Sequence, residues 1–182
     1  MPQVIMGVGI ALIVLGIIGI LYAIRYNKIV TDRTKTNEAE VNIDEHLRSK
    51  YDDIMRCITI VEKKIKKEVK VFESVKKVES DTMSNFELDR LLTKAFDEIK
   101  LIMEDHKEVK EGKDFNALIK EINEIEEHLV ALRSYYNKYC LAYNRRIKKF
   151  PDNMIAKTHK FIEKPYYDGK NLNDDIYTDF KL

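Results

Sequence analysis

The chain has 182 residues, 35% of them charged, and its 32 Lys and Arg against 31 Asp and Glu leave a formal charge of +1. With the signs nearly cancelling and no long block of one sign, bulk nucleic-acid binding by counterion release is not expected. Three prolines and six glycines give little punctuation, and no alternating run bounded by turns signals a strand, so the expected fold is all-α with a few long helices.

The first element is an uninterrupted apolar run, VIMGVGIALIVLGIIGILYAI, from Val4 to Ile24. As a helix it is about 31 Å long, close to the thickness of a bilayer's hydrocarbon core. A cleavable signal peptide would want a basic n-region, a shorter run and a small-residue cleavage site; a buried core helix would usually show a polar face. Neither pattern is present, so residues 1–25 are read as a transmembrane anchor. Arg25, Lys28, Arg33 and Lys35 follow the span and nothing basic precedes it, which by the positive-inside rule predicts a single-pass cell-membrane protein with a short N-terminus outside and its C-terminal domain in the cytoplasm. Tyr22 and Tyr26 fall at the inner interface, where amphipathic rings are favoured. Gly7 with Ala11, and Gly19 with Ala23, have the small-xxx-small spacing that permits close helix pairing, although glycine is also simply common in membrane helices. The expected partners are the bilayer, through residues 4–24, and by self-association or otherwise other membrane proteins; nucleic acid is not among them.

Roughly 155 residues beyond the anchor suffice for one domain with a core. Residues 26–162 are read as a cytoplasmic helical bundle, and 163–182 as a polar, loosely ordered tail. From about Asn37 to Val78, Val41, Ile43, Leu47, Ile54, Ile58, Val61, Ile65, Val69, Phe72 and Val75 recur mostly at steps of three and four, one buried helical stripe. Ser84 is placed to cap a second helix with Glu87 in capping-box position, and that helix is expected to run to about Val109 with Gly112 terminating it. Asp114 is the expected cap of a third helix, with Phe115, Leu118, Ile122, Ile125, Leu129, Leu132, Tyr136, Tyr139 and Tyr143 close to a heptad, ended by Pro151. A short amphipathic segment, Met154 to Ile162, follows. With the anchor continuing inward past Tyr26, these helices predict an elongated antiparallel bundle of four-helix type. Cys57 and Cys140 are expected to be reduced packing residues.

Helical bundles often hold iron through Glu-x-x-His pairs, but the residues three before His46, His106, His128 and His159 are Ile43, Met103, Ile125 and Ala156. No H-E-x-x-H, Cys-x-x-Cys or Walker-type loop occurs, so no catalytic, cofactor-binding or metal-ligating residues are assigned and no cofactor is expected. Glu124 and His128, one turn apart, read as a solvated pair. What remains is a Tyr-Asn dipeptide found three times, at Tyr26-Asn27, Tyr136-Asn137 and Tyr143-Asn144. On one helix Arg133, Asn137, Cys140, Asn144 and Lys148 form a stripe beside the tyrosines, placing each ring on the seam and each amide at its margin. The residues Tyr26, Asn27, Arg133, Tyr136, Asn137, Tyr143 and Asn144 are therefore read as a polar layer that fixes register between helices, or alternatively as a groove for a ligand or partner.

The stretch from Phe115 through Glu121, Glu126, Arg133, Tyr136-Asn137, Tyr143-Asn144 and Ile147 to Phe150-Pro151 and Ala156 resembles the C-terminal pattern of the LemA family. The apolar anchor followed by Tyr26-Asn27, Val30, Ile43-Asp44, Leu47 and Tyr51-Asp52 is similar to that family's N-terminal pattern, and Asp53 to Cys57, DIMRC, stands where the family has Leu-Ile-Pro-Asn-Leu. The resemblance implies a single-span membrane protein with a long helical-bundle domain and implies no particular activity. Three functions are open: a non-enzymatic membrane-tethered interaction or scaffold module; a small-molecule or metal-binding sensor with its site near Arg133, Asn137 and Asn144; and a membrane-shaping or oligomeric scaffold that uses the small-residue face of the anchor and the amphipathic piece Met154 to Ile162.

Overall fold

The computed structural model describes residues 2–66, 69–78, 83–110 and 112–167. The protein is all-α: the described residues form six helices, α1 (Pro2–Ile65), α2 (Lys70–Lys76), α3 (Asn85–Asp105), α4 (Lys107–Lys110), α5 (Lys113–Lys148) and α6 (Asp152–Thr158), and no strand. The apolar span, expected to continue inward past Tyr26, and the first amphipathic stripe, expected from about Asn37, are one helix. The junction itself contains neither glycine nor proline, so no helix breaker stands where the apolar run gives way to charged residues. The stripe itself ends earlier than its periodicity suggests. Helix α1 stops at Ile65, Lys66 takes a left-handed φ of 53°, and Val69, Phe72 and Val75 belong to the turn into α2 and to α2 itself. Val41, assigned to the buried stripe, is exposed.

Helix α3 begins as expected. The Ser84 side chain accepts from the Glu87 N–H while the Glu87 carboxylate accepts from the Ser84 N–H, a reciprocal box that satisfies two otherwise orphaned donors. It ends at Asp105 with His106 as the capping residue, and the short α4 follows. Gly112, expected to stop the second helix, instead opens the next one: its carbonyl accepts from the Asn116 N–H, and Asp114, expected as the cap, lies inside the first turn of α5. Helix α5 runs to Lys148, and Pro151 stands at the start of α6, where its missing N–H costs nothing.

The chain divides into two compact units, Met1–Asn37 with Asn137–Pro165, and Glu38–Tyr136 with Tyr166–Leu182. In the first, Ile29, Tyr143, Ile147, Ile155 and Ala156 form the core, with Tyr26 and Phe161 packed against it. The second buries Leu47, Ile54, Ile58 and Val61 of α1, Phe72 and Val75 of α2, Leu92, Phe96 and Ile99 of α3, and Phe115, Ile122 and Leu129 of α5. The buried residues Phe115, Ile122, Leu129, Tyr136 and Tyr143 recur every seventh position along α5, as the heptad spacing predicts. Cys57 and Cys140 are both buried and not joined in a disulfide, and burial with the nearby Asp53 charge pushes the Cys57 thiol up to about 12.

Candidate functional site

On α1 the buried positions Thr36, Ile43, Lys50 and Cys57 also recur every seventh residue, so the backbone carries Lys50 inward with its apolar neighbours. On α3, Asp89 precedes Leu92, Phe96 and Ile99 at steps of three, four and three and is likewise buried. These two charges meet Glu126 and Arg133 of α5 in the second unit. The Lys50 ammonium, 1% exposed, donates to Glu126 Oε2 and to Thr93 Oγ1 at 3.2 Å, and lies 3.7 Å from Asp89 Oδ1. Arg133 Nη2 donates to Asp89 Oδ1 at 2.7 Å and to Glu126 Oε1 at 3.2 Å, while Nη1 reaches the same Glu126 oxygen at 3.2 Å. Tyr167 completes the cluster: its hydroxyl stands 3.2 Å from Asp89 Oδ2, and its ring packs on Phe86 at 4.4 Å and edge-on to Tyr136 at 6.0 Å.

Two cations and two carboxylates balance, which is what allows Lys50 and Asp89 to be buried and Glu126 and Arg133 to be half-buried beside them. The protonation states follow. Burial pushes Glu126 up, but the Lys50 hydrogen bond and charge, helped by Arg133, outweigh it and hold the carboxyl below the usual range. Burial likewise disfavours the Arg133 cation, yet Asp89 and Glu126 keep it more firmly charged than in water. Burial and the Asp89 charge raise the Tyr167 phenol, so it stays a neutral donor. Arg133 Nε is buried without a hydrogen-bond partner. Chemically the cluster is a closed set of ion pairs, and an anionic ligand at Arg133 would have to displace Asp89 or Glu126.

An open cleft of about 350 Å³ in the same unit is lined by Glu45, His46, Ser49, Asp53, Glu121, Glu124, Ile125 and His128, with the His46 and His128 rings 5.7 Å apart. Burial and the facing Glu121 raise Asp53, partly countered by Arg56. His46 Nδ1 is bonded to the Asn42 carbonyl at 2.8 Å, and among the described residues no three His, Cys, Asp or Glu side chains are grouped to hold a metal.

The seven residues read from sequence as one polar layer fall into both units. Arg133 and Tyr136 belong to the second, in the cluster above. In the first, Tyr26 packs on His159 at 4.8 Å and Phe161 at 6.1 Å; Asn27 is exposed, with its carbonyl bonded to Thr31; Asn137 is half-buried. Tyr143 donates to the Ile162 carbonyl at 2.8 Å, and the buried Asn144 both donates to the Lys164 carbonyl at 2.7 Å and accepts from the Lys164 N–H at 2.9 Å. Asn144 thus engages the backbone of the segment after α6, not an amide on a facing helix. Lys50 and Asp89, central to the ion cluster, escaped the sequence reading because both are charged. The available signal was their place on the apolar stripe: Lys50 fills the step between Leu47 and Ile54.

These observations define an all-α protein with an apolar N-terminal helix and a charge-balanced cluster buried among helices. The chain belongs to the LemA family, whose sequence model matches residues 39–180. A search of curated proteins finds no matching relative.

Proposed function

We propose that the protein is a membrane-anchored, non-enzymatic helical-bundle module that serves as a scaffold for other membrane or cytoplasmic components. The observation that carries this reading is α1. Its apolar stretch from Val4 to Ile24 leaves every side chain exposed, and the same helix then continues without a break to Ile65, lined with core residues. An apolar surface of that length is not stable in water and matches a bilayer core. The engagement of Lys50, Asp89, Glu126 and Arg133 by one another supports a fold-specifying role for the cluster over a reactive one.

The test is fractionation followed by affinity capture. The full chain is expected to stay in the membrane pellet through an alkaline wash, to be released by detergent, and to bring down components that an unrelated single-span control does not. A mature chain recovered soluble without its first residues, or a purified chain that turns over a substrate, would overturn the reading. Orientation is tested by thiol labelling: Cys57 and Cys140 should stay silent in the native protein because both are buried, and should label after denaturation only where the reagent reaches the cytoplasmic side.

A further inference from the structure

Beyond α1, large exposed apolar side chains gather around α6. Phe150 is 79% exposed, Met154 61% and Ile162 78%, and all three lie in the first unit. Helix α6 is held against the end of the apolar run. The Tyr22 hydroxyl and His159 Nε2 are 2.7 Å apart, the Tyr26 ring packs on His159, and an apolar groove runs between Ile18, Leu21 and Arg25 of α1 and Met154, Ile155 and Thr158 of α6. Ile18, Leu21 and Tyr22 are inside the Val4–Ile24 run, and Tyr22 is about 3 Å along the axis from its end. Any membrane that contains that run therefore brings its surface to α6. The adjoining exposed side chains Lys149, Lys157 and Lys160 are basic, while Asp152, the acid that opens α6, is buried near Arg25 and Arg146 at 3.8 and 3.9 Å.

We infer that α6 and its flanks are an interfacial docking element: they lie in the headgroup layer of the leaflet from which α1 emerges, insert Phe150, Met154 and Ile162 toward the acyl chains, and set Lys149, Lys157 and Lys160 over anionic phospholipid headgroups. Exposed apolar side chains interleaved with exposed lysines, whose long stems reach toward headgroups, are the pattern that binds an anionic bilayer surface. The inference rests on the anchor reading above and adds a second, separable contact with lipid.

The chain contains no tryptophan, so single-tryptophan variants report depth directly. Full-length Phe150→Trp, Met154→Trp and Ile162→Trp, each checked for native circular dichroism, are reconstituted in phosphatidylcholine and phosphatidylglycerol vesicles with lipids brominated near the headgroup or near the methyl end. Leu12→Trp in the anchor and Leu101→Trp, exposed on α3, are the references. The three test positions should be blue-shifted and lose more fluorescence to shallow than to deep bromines, Leu12→Trp should lose more to deep ones, and Leu101→Trp should lose none. If Leu12→Trp is quenched while the test positions behave like Leu101→Trp, the docking inference falls and the anchor stands. If Leu12→Trp escapes quenching, the anchor reading fails and takes this inference with it. Combined Lys149→Glu, Lys157→Glu and Lys160→Glu in the Met154→Trp chain should weaken shallow quenching; unchanged quenching overturns the headgroup contact.

Discussion

Lys50 illustrates how a position can overrule a residue type. Its place in the repeat of Thr36, Ile43 and Cys57 carries it inside, where an unpaired ammonium would be prohibitive. Glu126, Asp89 and Thr93 make the placement tolerable. Lys50→Met, close in volume, removes one cation and leaves two carboxylates to share Arg133. We expect it to destabilise the second unit by about 3 kcal/mol, measured by urea unfolding in detergent. Adding Glu126→Gln should restore part of that loss, because the second carboxylate then no longer needs a partner. Strictly additive effects of the two substitutions would show that the pair is not coupled.

At the scale of elements, residues 161–167 after α6 form no helix or strand and are held by hydrogen bonds from α5. Asn144 supplies one donor and one acceptor to the backbone of Lys164, and Tyr143 adds a bond to the Ile162 carbonyl. Asn144→Leu removes both amide bonds and should cost about 1–3 kcal/mol. The specific readout is local: hydrogen exchange and protease cleavage around residues 161–165 should rise, while α3 keeps its protection. Unchanged protection of that segment would show that the amide does not hold it. The sequence placed Tyr143 and Asn144 in a polar layer between helices but could not show the backbone that they bond, since backbone groups in an irregular segment leave no mark on the sequence.

For the molecule as a whole, pH dependence follows from three shifted carboxyls among the described residues: Glu126 and the exposed Glu87, which its Ser84 hydrogen bonds hold down, against a raised Asp53. Glu126 sits below its ordinary value, so its contribution is complete above the unfolded value of about 4.3 and disappears as pH falls through the lower folded value. Asp53 is raised, so its ionisation disfavours the fold, and stability is gained as pH falls through its elevated value toward the ordinary aspartate value of about 3.9. A melting series from neutral pH downward should therefore show a mild gain in weak acid followed by a steep loss. Asp53→Asn should remove the first feature and Glu126→Gln should blunt the second. A Glu126→Gln chain with the parent's full acid loss would locate that loss elsewhere.

Local chemistry was readable from the sequence alone: the membrane-length apolar run, the all-α class, the heptad on α5, and the Ser84–Glu87 box, whose partners are three residues apart. Each rests on spacing within one helix. Tertiary structure decided the rest. Whether a charge on an apolar stripe is buried depends on opposite charges arriving from other elements, and Lys50, Asp89, Glu126 and Arg133 come from three of them. The helix boundaries that were misplaced have the same origin: α1 ends at Ile65 and α3 at Asp105 without a glycine or proline, and Gly112 opens a helix instead of closing one. Nothing in the local sequence dictates those turns, because a break with no breaker is set by what the flanking helices gain in packing.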